Sequence, residues 1–133
     1  MKEQLKLRCK LFALSVIEMT EGLPRKNATF PICNQIIRSS TSIGANYRAA
    51  LRARSKAEFL SKLGIVEEEA DETLYWLELI KDSGLGETSV IDPIWKECNE
   101  LLSIFVATIK TSKENQKNLP EAQLINQILR QGL

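Results

Sequence analysis

The sequence contains no histidine, and it has few residues that interrupt helices. Its 133 residues include only four prolines and six glycines. The lack of histidine removes the commonest general base and the commonest metal ligand. The scarcity of proline and glycine leaves long stretches without a helix breaker. The sequence therefore predicts long helices and a protein that is not an enzyme and needs no metal or other cofactor.

Cysteine is also scarce, and the three cysteines are scattered. Cys9, Cys33 and Cys98 stand among apolar neighbours, without the paired spacing of a metal site. We interpret them as buried, reduced thiols. The first ten residues are too charged for a signal peptide, and no apolar run approaches the roughly 18 residues that suggest a membrane span. These features predict a cytoplasmic protein with no membrane partner.

The charges nearly cancel, since 18 Lys and Arg oppose 17 Asp and Glu for a formal net charge of +1. Any electrostatic binding must therefore come from local patches. The hydrophobic content of 44% is ordinary for a soluble protein, and the length suits one domain.

Apolar residues recur in alternating steps of four and three along the first half of the chain. This spacing predicts one helix over about 2–21 and a second over about 31–52, with Pro31 in its first turn. The first stripe contains Leu5, Cys9, Phe12, Val16 and Met19, and the second contains Ile36, Ser40, Ile43, Tyr47 and Ala50. The small residues Ser39–Ser42 have no neighbouring base, so we interpret them as packing residues that let another helix approach closely.

The same rhythm predicts two further helices. Ser55 followed by Glu58 matches a capping box, so the third helix should begin there and run to about Lys81. Asp92 and Pro93 resemble an N-cap and a first helical residue, so the fourth helix should begin there and run to about Lys113. Ile94, Cys98, Leu101 and Phe105 form its stripe.

Helices of similar length joined by short connections predict an all-α, antiparallel up-down-up-down four-helix bundle with long helices, because short loops force neighbouring helices to be antiparallel. We assign the bundle to residues 1–115 and a C-terminal tail to residues 116–133. Within the tail, residues 120–131 form either a short helix or a loose segment.

Two helices carry more apolar surface than an isolated bundle needs. In the first, Leu7, Leu11 and Leu14 lie off the core stripe, and in the third, Tyr75, Trp76 and Leu79 add to an apolar surface that surrounds much of the helix. We predict that these six residues form an oligomer interface. The alternative is a thick core covered by a docked C-terminal tail.

A local basic cluster surrounds the turn between the second and third helices. It contains Arg48, Arg52, Arg54, Lys56 and Lys62, with Glu58 as the only acid. It could bind phosphates of RNA or DNA, or it could simply complement the helix dipole in solvent. Arg38 lies ten residues before Arg48, so a continuous basic stripe along the helix is a second hypothesis, and the candidate nucleic-acid contacts are Arg38, Arg48, Arg52, Arg54 and Lys56.

An acidic run at residues 67–72 follows this cluster. A di-iron bundle would need Glu-x-x-His pairs, which a chain without histidine cannot supply. The acids are therefore expected to face water or to pair with Arg or Lys of a neighbouring helix or subunit.

The central third of the chain, Gln35 to Ile80, resembles the bacterial four-helix bundle protein family, also called the 23S ribosomal RNA intervening-sequence protein family. The segments SIGAN, RARSKAEF and EADETLYWLEL carry the resemblance. It implies an antiparallel four-helix bundle that assembles into a homopentamer, in a family without a firmly assigned activity. Some members are encoded within insertions of ribosomal RNA genes. A related group, the accessory proteins of diversity-generating retroelements, binds nucleic acid and a reverse transcriptase.

One position departs from the pattern of the family, because Ala49 stands where many members have a glutamate. An ion pair between that glutamate and the basic turn is therefore missing. Together, pattern and resemblance predict a homo-oligomeric, non-enzymatic scaffold, with a nucleic-acid-binding accessory protein as the alternative.

Overall fold

Four long helices pack side by side in the computed structural model, which describes residues 1–115 and 128–130. They are α1 (Lys2–Glu21), α2 (Thr29–Leu51), α3 (Lys56–Asp82) and α4 (Thr88–Asn115). Each packs against its neighbours in ring order, α1 on α2, α2 on α3, α3 on α4 and α4 on α1. The predicted antiparallel four-helix bundle is confirmed. The contact of α1 with α4 is the least extensive, so α1 is the most peripheral helix.

The core consists largely of the apolar stripes that the periodicity predicted. The five α1 residues from Leu5 to Met19 are all buried, and so is the predicted stripe of α2. Ser39 and Ser40 are fully buried, and the hydroxyl of Thr73 on α3 donates a 2.8 Å hydrogen bond to Ser39 Oγ. The small residues therefore do allow the close packing of α2 on α3.

The start of α3 follows the predicted cap with one difference. Ser55 Oγ accepts a hydrogen bond from the backbone N–H of Glu58 at 3.1 Å. The carboxylate of Glu58 accepts from the backbone N–H of Arg54, one residue before the cap itself. Both hydrogen bonds satisfy donors that would otherwise lack a partner at the helix start.

The predicted start of α4 at Asp92 and Pro93 is wrong, since the helix begins at Thr88 and contains Pro93. The backbone N–H groups of Val90 and Ile91 already close a turn onto the carbonyl of Glu87. Ile91 is buried and anchors this turn, whereas Ile94 of the predicted stripe is only half-buried. A proline near the helix start removes a single hydrogen bond, which the packing of Ile91 offsets.

The turn between α3 and α4 needs glycine at two positions. Gly84 has a φ of +80°, in the left-handed region that side chains disfavour. A Cβ on Gly86 would lie 2.8 Å from Ile80 Cγ2, closer than such atoms approach. The turn can therefore bring α4 tightly against the end of α3.

The tail assigned to residues 116–133 falls largely outside the described residues, which include only 128–130 of it. These three residues are helical, and Ile128 is buried. Ile128 and Leu129 share a small cavity with Leu5, Tyr47 and Phe59 at one end of the bundle. This part of the tail thus contacts the end of the core.

Two of the three cysteines behave as predicted. All three are free thiols, with Cys9 and Cys98 buried but Cys33 only half-buried. Cys33 stands toward the rim of the core, so the prediction that all three are buried is wrong for it. Burial raises the pKa of Cys9 and of Cys98 from about 9.0 to about 12.

Because burial raises the pKa of Cys9 and Cys98, we expect the protein to lose stability in alkaline solution. Between pH 9 and 12 the unfolded chain releases thiol protons that the folded chain retains, so the free energy of unfolding falls as pH rises. The slope is about 1.4 kcal/mol per thiol per pH unit. Urea unfolding at pH 8 and pH 10.5 measures it, and a Cys9→Ala, Cys98→Ala variant is the control. Equal slopes for the two proteins would contradict the prediction.

Candidate interaction surfaces

The outer face of α1 carries three leucines in solvent. Leu7, Leu11 and Leu14, here called the leucine stripe, are 55%, 55% and 50% exposed. At 100° per residue the stripe lies about 150° around the helix from the buried Leu5 stripe. Helix α1 therefore presents apolar side chains on two opposite faces, of which only one meets the core.

The predicted interface residues of α3 differ in exposure. Tyr75 is 54% exposed, whereas Trp76 and Leu79 are half-buried. The indole N–H of Trp76 donates a 3.0 Å hydrogen bond to the Glu72 carboxylate. The Tyr75 and Trp76 rings pack edge to face, with their centroids 5.3 Å apart. Trp76 thus packs partly against the core and also contacts the exposed Tyr75 ring.

Acids flank Tyr75 along the outer face of α3. Glu68 and Asp71 lie one to two turns before it and Asp82 two turns after it, and all three are exposed. None of the three makes an ion pair with any described residue. This surface, here called the acidic stripe, consists of Glu68, Asp71, Tyr75, Leu79 and Asp82.

A groove runs between α1 and α2 beside the leucine stripe. Its volume is about 480 Å³, and it is lined by Glu3, Lys6, Leu7, Cys9, Lys10, Ala13, Thr41, Gly44, Ala45 and Arg48. A Cβ on Gly44 would lie 3.4 Å from Cys9 Cβ, so the two helices meet closely at its floor. The groove thus has small residues and a cysteine at its centre and the cations Lys6, Lys10 and Arg48 around it.

The basic turn between α2 and α3 is open to solvent. Arg48, Arg52 and Arg54 are exposed, and none of them forms an ion pair within the part of the chain that the structure describes. Lys56 and Lys62 are half-buried. The turn therefore presents three guanidinium groups to solvent, with the carboxylate of Glu58 nearby on the backbone N–H of Arg54.

Arg38 does not extend this turn into a stripe. Its guanidinium binds Glu69 at 3.0 Å and also pairs with Glu72, both on α3, whereas Arg48 lines the groove on the α1 side of α2. The hydrogen bonds from Trp76 and Arg38 hold the pKa of Glu72 below its usual range. The hypothesis of a continuous basic stripe is therefore wrong, and the expectation that some acids of residues 67–72 pair with a neighbouring helix is confirmed.

A second arginine, which the sequence pattern gave no reason to single out, joins α1 to α4. Arg8 donates two hydrogen bonds to Glu97, at 2.8 and 2.7 Å, and a third to Glu100 at 2.8 Å. These carboxylates raise the pKa of the guanidinium. The cluster lies at the helix pair with the least extensive packing, where it fixes the position of α1.

The described residues contain no group of three Asp, Glu or Cys placed to hold a metal ion. No helix among them is long and apolar enough to cross a membrane. The candidate interaction surfaces are therefore the leucine stripe on α1, the acidic stripe on α3, and the guanidinium groups of the turn between α2 and α3.

Comparison with known proteins places these surfaces on a recognisable scaffold. A family model described as 23S rRNA-intervening sequence protein matches residues 4–107. A crystal structure at 1.70 Å from Bacteroides thetaiotaomicron VPI-5482, described as a protein of unknown function from the S23 ribosomal protein family, is 35% identical with a TM-score of 0.75. The match covers 80% of this chain and 98% of that chain. A search of curated proteins finds no match.

Proposed function

Since the chain belongs to the 23S rRNA-intervening sequence protein family, we propose that it is a non-enzymatic scaffold whose copies assemble into a homopentamer in the cytoplasm. The solved relative is itself of unknown function, so the proposal depends on the surfaces of this chain. The leucine stripe is the observation that carries it. Three half-exposed leucines on one helix face form the kind of apolar surface that marks a contact site.

The position of residues 128–130 favours self-association over the alternative of a tail that covers the excess apolar surface. The described tail residues contact the end of the core near Leu5 and Phe59. The leucine stripe lies on the opposite face of α1 from Leu5 and remains exposed. A second copy of the chain is then the simplest cover for it.

A scaffold without catalysis also agrees with the state of the candidate nucleophiles. Cys9 and Cys98 are buried with raised pKa values, which disfavours the reactive thiolate. The chain has no histidine to activate a hydroxyl or a thiol.

The mass of the protein in solution tests the proposal. Sedimentation equilibrium at micromolar concentration should give about 75 kDa, five times the chain mass of 15.0 kDa. A stable species of one chain mass would overturn the scaffold proposal. A defined assembly with another number of copies would retain the scaffold and overturn the pentamer.

Nucleic-acid binding is the second candidate function, favoured by the exposed Arg48, Arg52 and Arg54, which form no ion pair with the residues that the structure describes. Guanidinium groups of this kind bind phosphates with an affinity that falls as salt rises. The same purified sample distinguishes the two functions. Nucleic acid that copurifies at low salt and is released at high salt would support this candidate, and an assembly free of nucleic acid at both would contradict it.

A further inference from the structure

The leucine stripe and the acidic stripe lie on helices that are diagonal across the bundle. Helix α1 packs on α2 and α4, and α3 packs on the same two helices from the other side. Their outer faces therefore point away from each other. A two-fold dimer uses one patch twice, whereas two different patches suit a head-to-tail contact, which closes into a ring when the rotation between successive copies allows it.

The two surfaces also carry opposite charge, since Glu3 at the groove pairs with Lys6 at 3.4 Å and leaves Lys10 and Arg48 in excess. Lys10 and Arg48 at the groove are exposed, and neither forms an ion pair with another described residue. Glu68 and Asp71 on α3 are also exposed, and neither forms an ion pair within residues 1–115 and 128–130. Complementary charge of this kind fixes the orientation of two copies and penalises wrong pairings.

The shapes of the two surfaces agree with this orientation. The groove is open at its centre because small residues line it, and its floor is the close contact of Gly44 with Cys9. Tyr75 projects from α3 and its ring is held by Trp76. A tyrosine held in this way combines apolar area with a polar tip, which is why tyrosine is common in protein interfaces.

We infer that Tyr75 of one copy enters the groove between α1 and α2 of the next copy, where Glu68 and Asp71 meet Lys10 and Arg48. The leucine stripe borders the groove through Leu7, so the contact lies directly beside the stripe. This inference depends on the proposed self-association and specifies its interface as head-to-tail.

Charge reversal at the two surfaces tests the inference. One variant carries Lys10→Glu and Arg48→Glu, and the other carries Glu68→Lys and Asp71→Lys. Either variant alone should raise the apparent dissociation constant of the assembly by at least roughly 100-fold, because like charges then face each other. A chain with all four changes should regain the mass of the wild type, because the reversed charges then meet in compatible pairs at every contact.

A matched control reverses the same number of charges outside the groove. Arg52→Glu with Arg54→Glu should leave the mass unchanged, and far-ultraviolet circular dichroism should show the same helix content in every variant. If the wild type assembles while both charge variants assemble equally well, the interface is elsewhere and this inference alone fails. If the wild type is a single chain at every concentration, the proposed scaffold fails with it. Loss of assembly in the four-change chain would also overturn the inference, since the compensating pairs would not exist.

Discussion

Replacing Phe105 by alanine is expected to lower the free energy of unfolding by about 3–5 kcal/mol. Phe105 is fully buried, and its ring lies 5.4 Å from the Tyr47 ring. Tyr47 is on α2 and Phe105 on α4, so the pair joins two diagonal helices across the core. The substitution removes apolar surface that folding buries, removes the contact with the Tyr47 ring, and leaves a cavity. Because a domain of this size is stable by about 5–15 kcal/mol, the loss would be a large part of the total.

Phe30→Ala provides the matched control, since the same atoms are removed from a side chain that is 73% exposed. Its effect should stay within about 0.5 kcal/mol. Urea unfolding followed by circular dichroism measures both variants, at one protein concentration because assembly adds to apparent stability. Equal effects of the two substitutions would contradict the full burial of Phe105 in the core.

The helices could be predicted from the sequence wherever a local rule determines them. The four-three spacing from Leu5 to Met19 fixes which face of α1 is buried, and Ser55 with Glu58 marks the start of α3. The start of α4 could not be read in this way. Asp92 and Pro93 match a cap locally, but the burial of Ile91 extends the helix to Thr88, and Asp92 instead pairs with Lys81 of α3 at 2.8 Å. A tertiary contact decided that boundary.

The candidate surfaces were predictable only in part for the same reason. Periodicity alone places Leu7, Leu11 and Leu14 opposite the core, because both stripes lie on one helix. It does not distinguish Arg38 from Arg48, since the acids that bind Arg38 come from α3. The groove likewise depends on the approach of Gly44 to Cys9, two residues far apart in the chain. Charges can be counted in a sequence, but their partners follow from the packing.

Replacing the leucine stripe by Leu7→Glu, Leu11→Glu and Leu14→Glu is expected to reduce the assembly to single chains of 15.0 kDa while the bundle remains folded. The three side chains are about half exposed, so the fold of one chain loses little when they become polar. In an assembly they would be buried, and full burial of a leucine contributes about 1.5–3 kcal/mol. Three introduced carboxylates would in addition have to lose water at the interface without a designed partner.

The matched control places glutamate at exposed apolar positions of α4. Val90 and Val106 are 45% and 42% exposed, and they lie on neither α1 nor α3. Val90→Glu with Val106→Glu should therefore leave the sedimentation mass unchanged. Sedimentation of the leucine variant at the wild-type mass would place the contact between copies away from α1, because no assembly that buries the stripe could accept three charges there. A folded single chain would instead show that the outer face of α1 stabilises the assembly and the inner face stabilises the bundle.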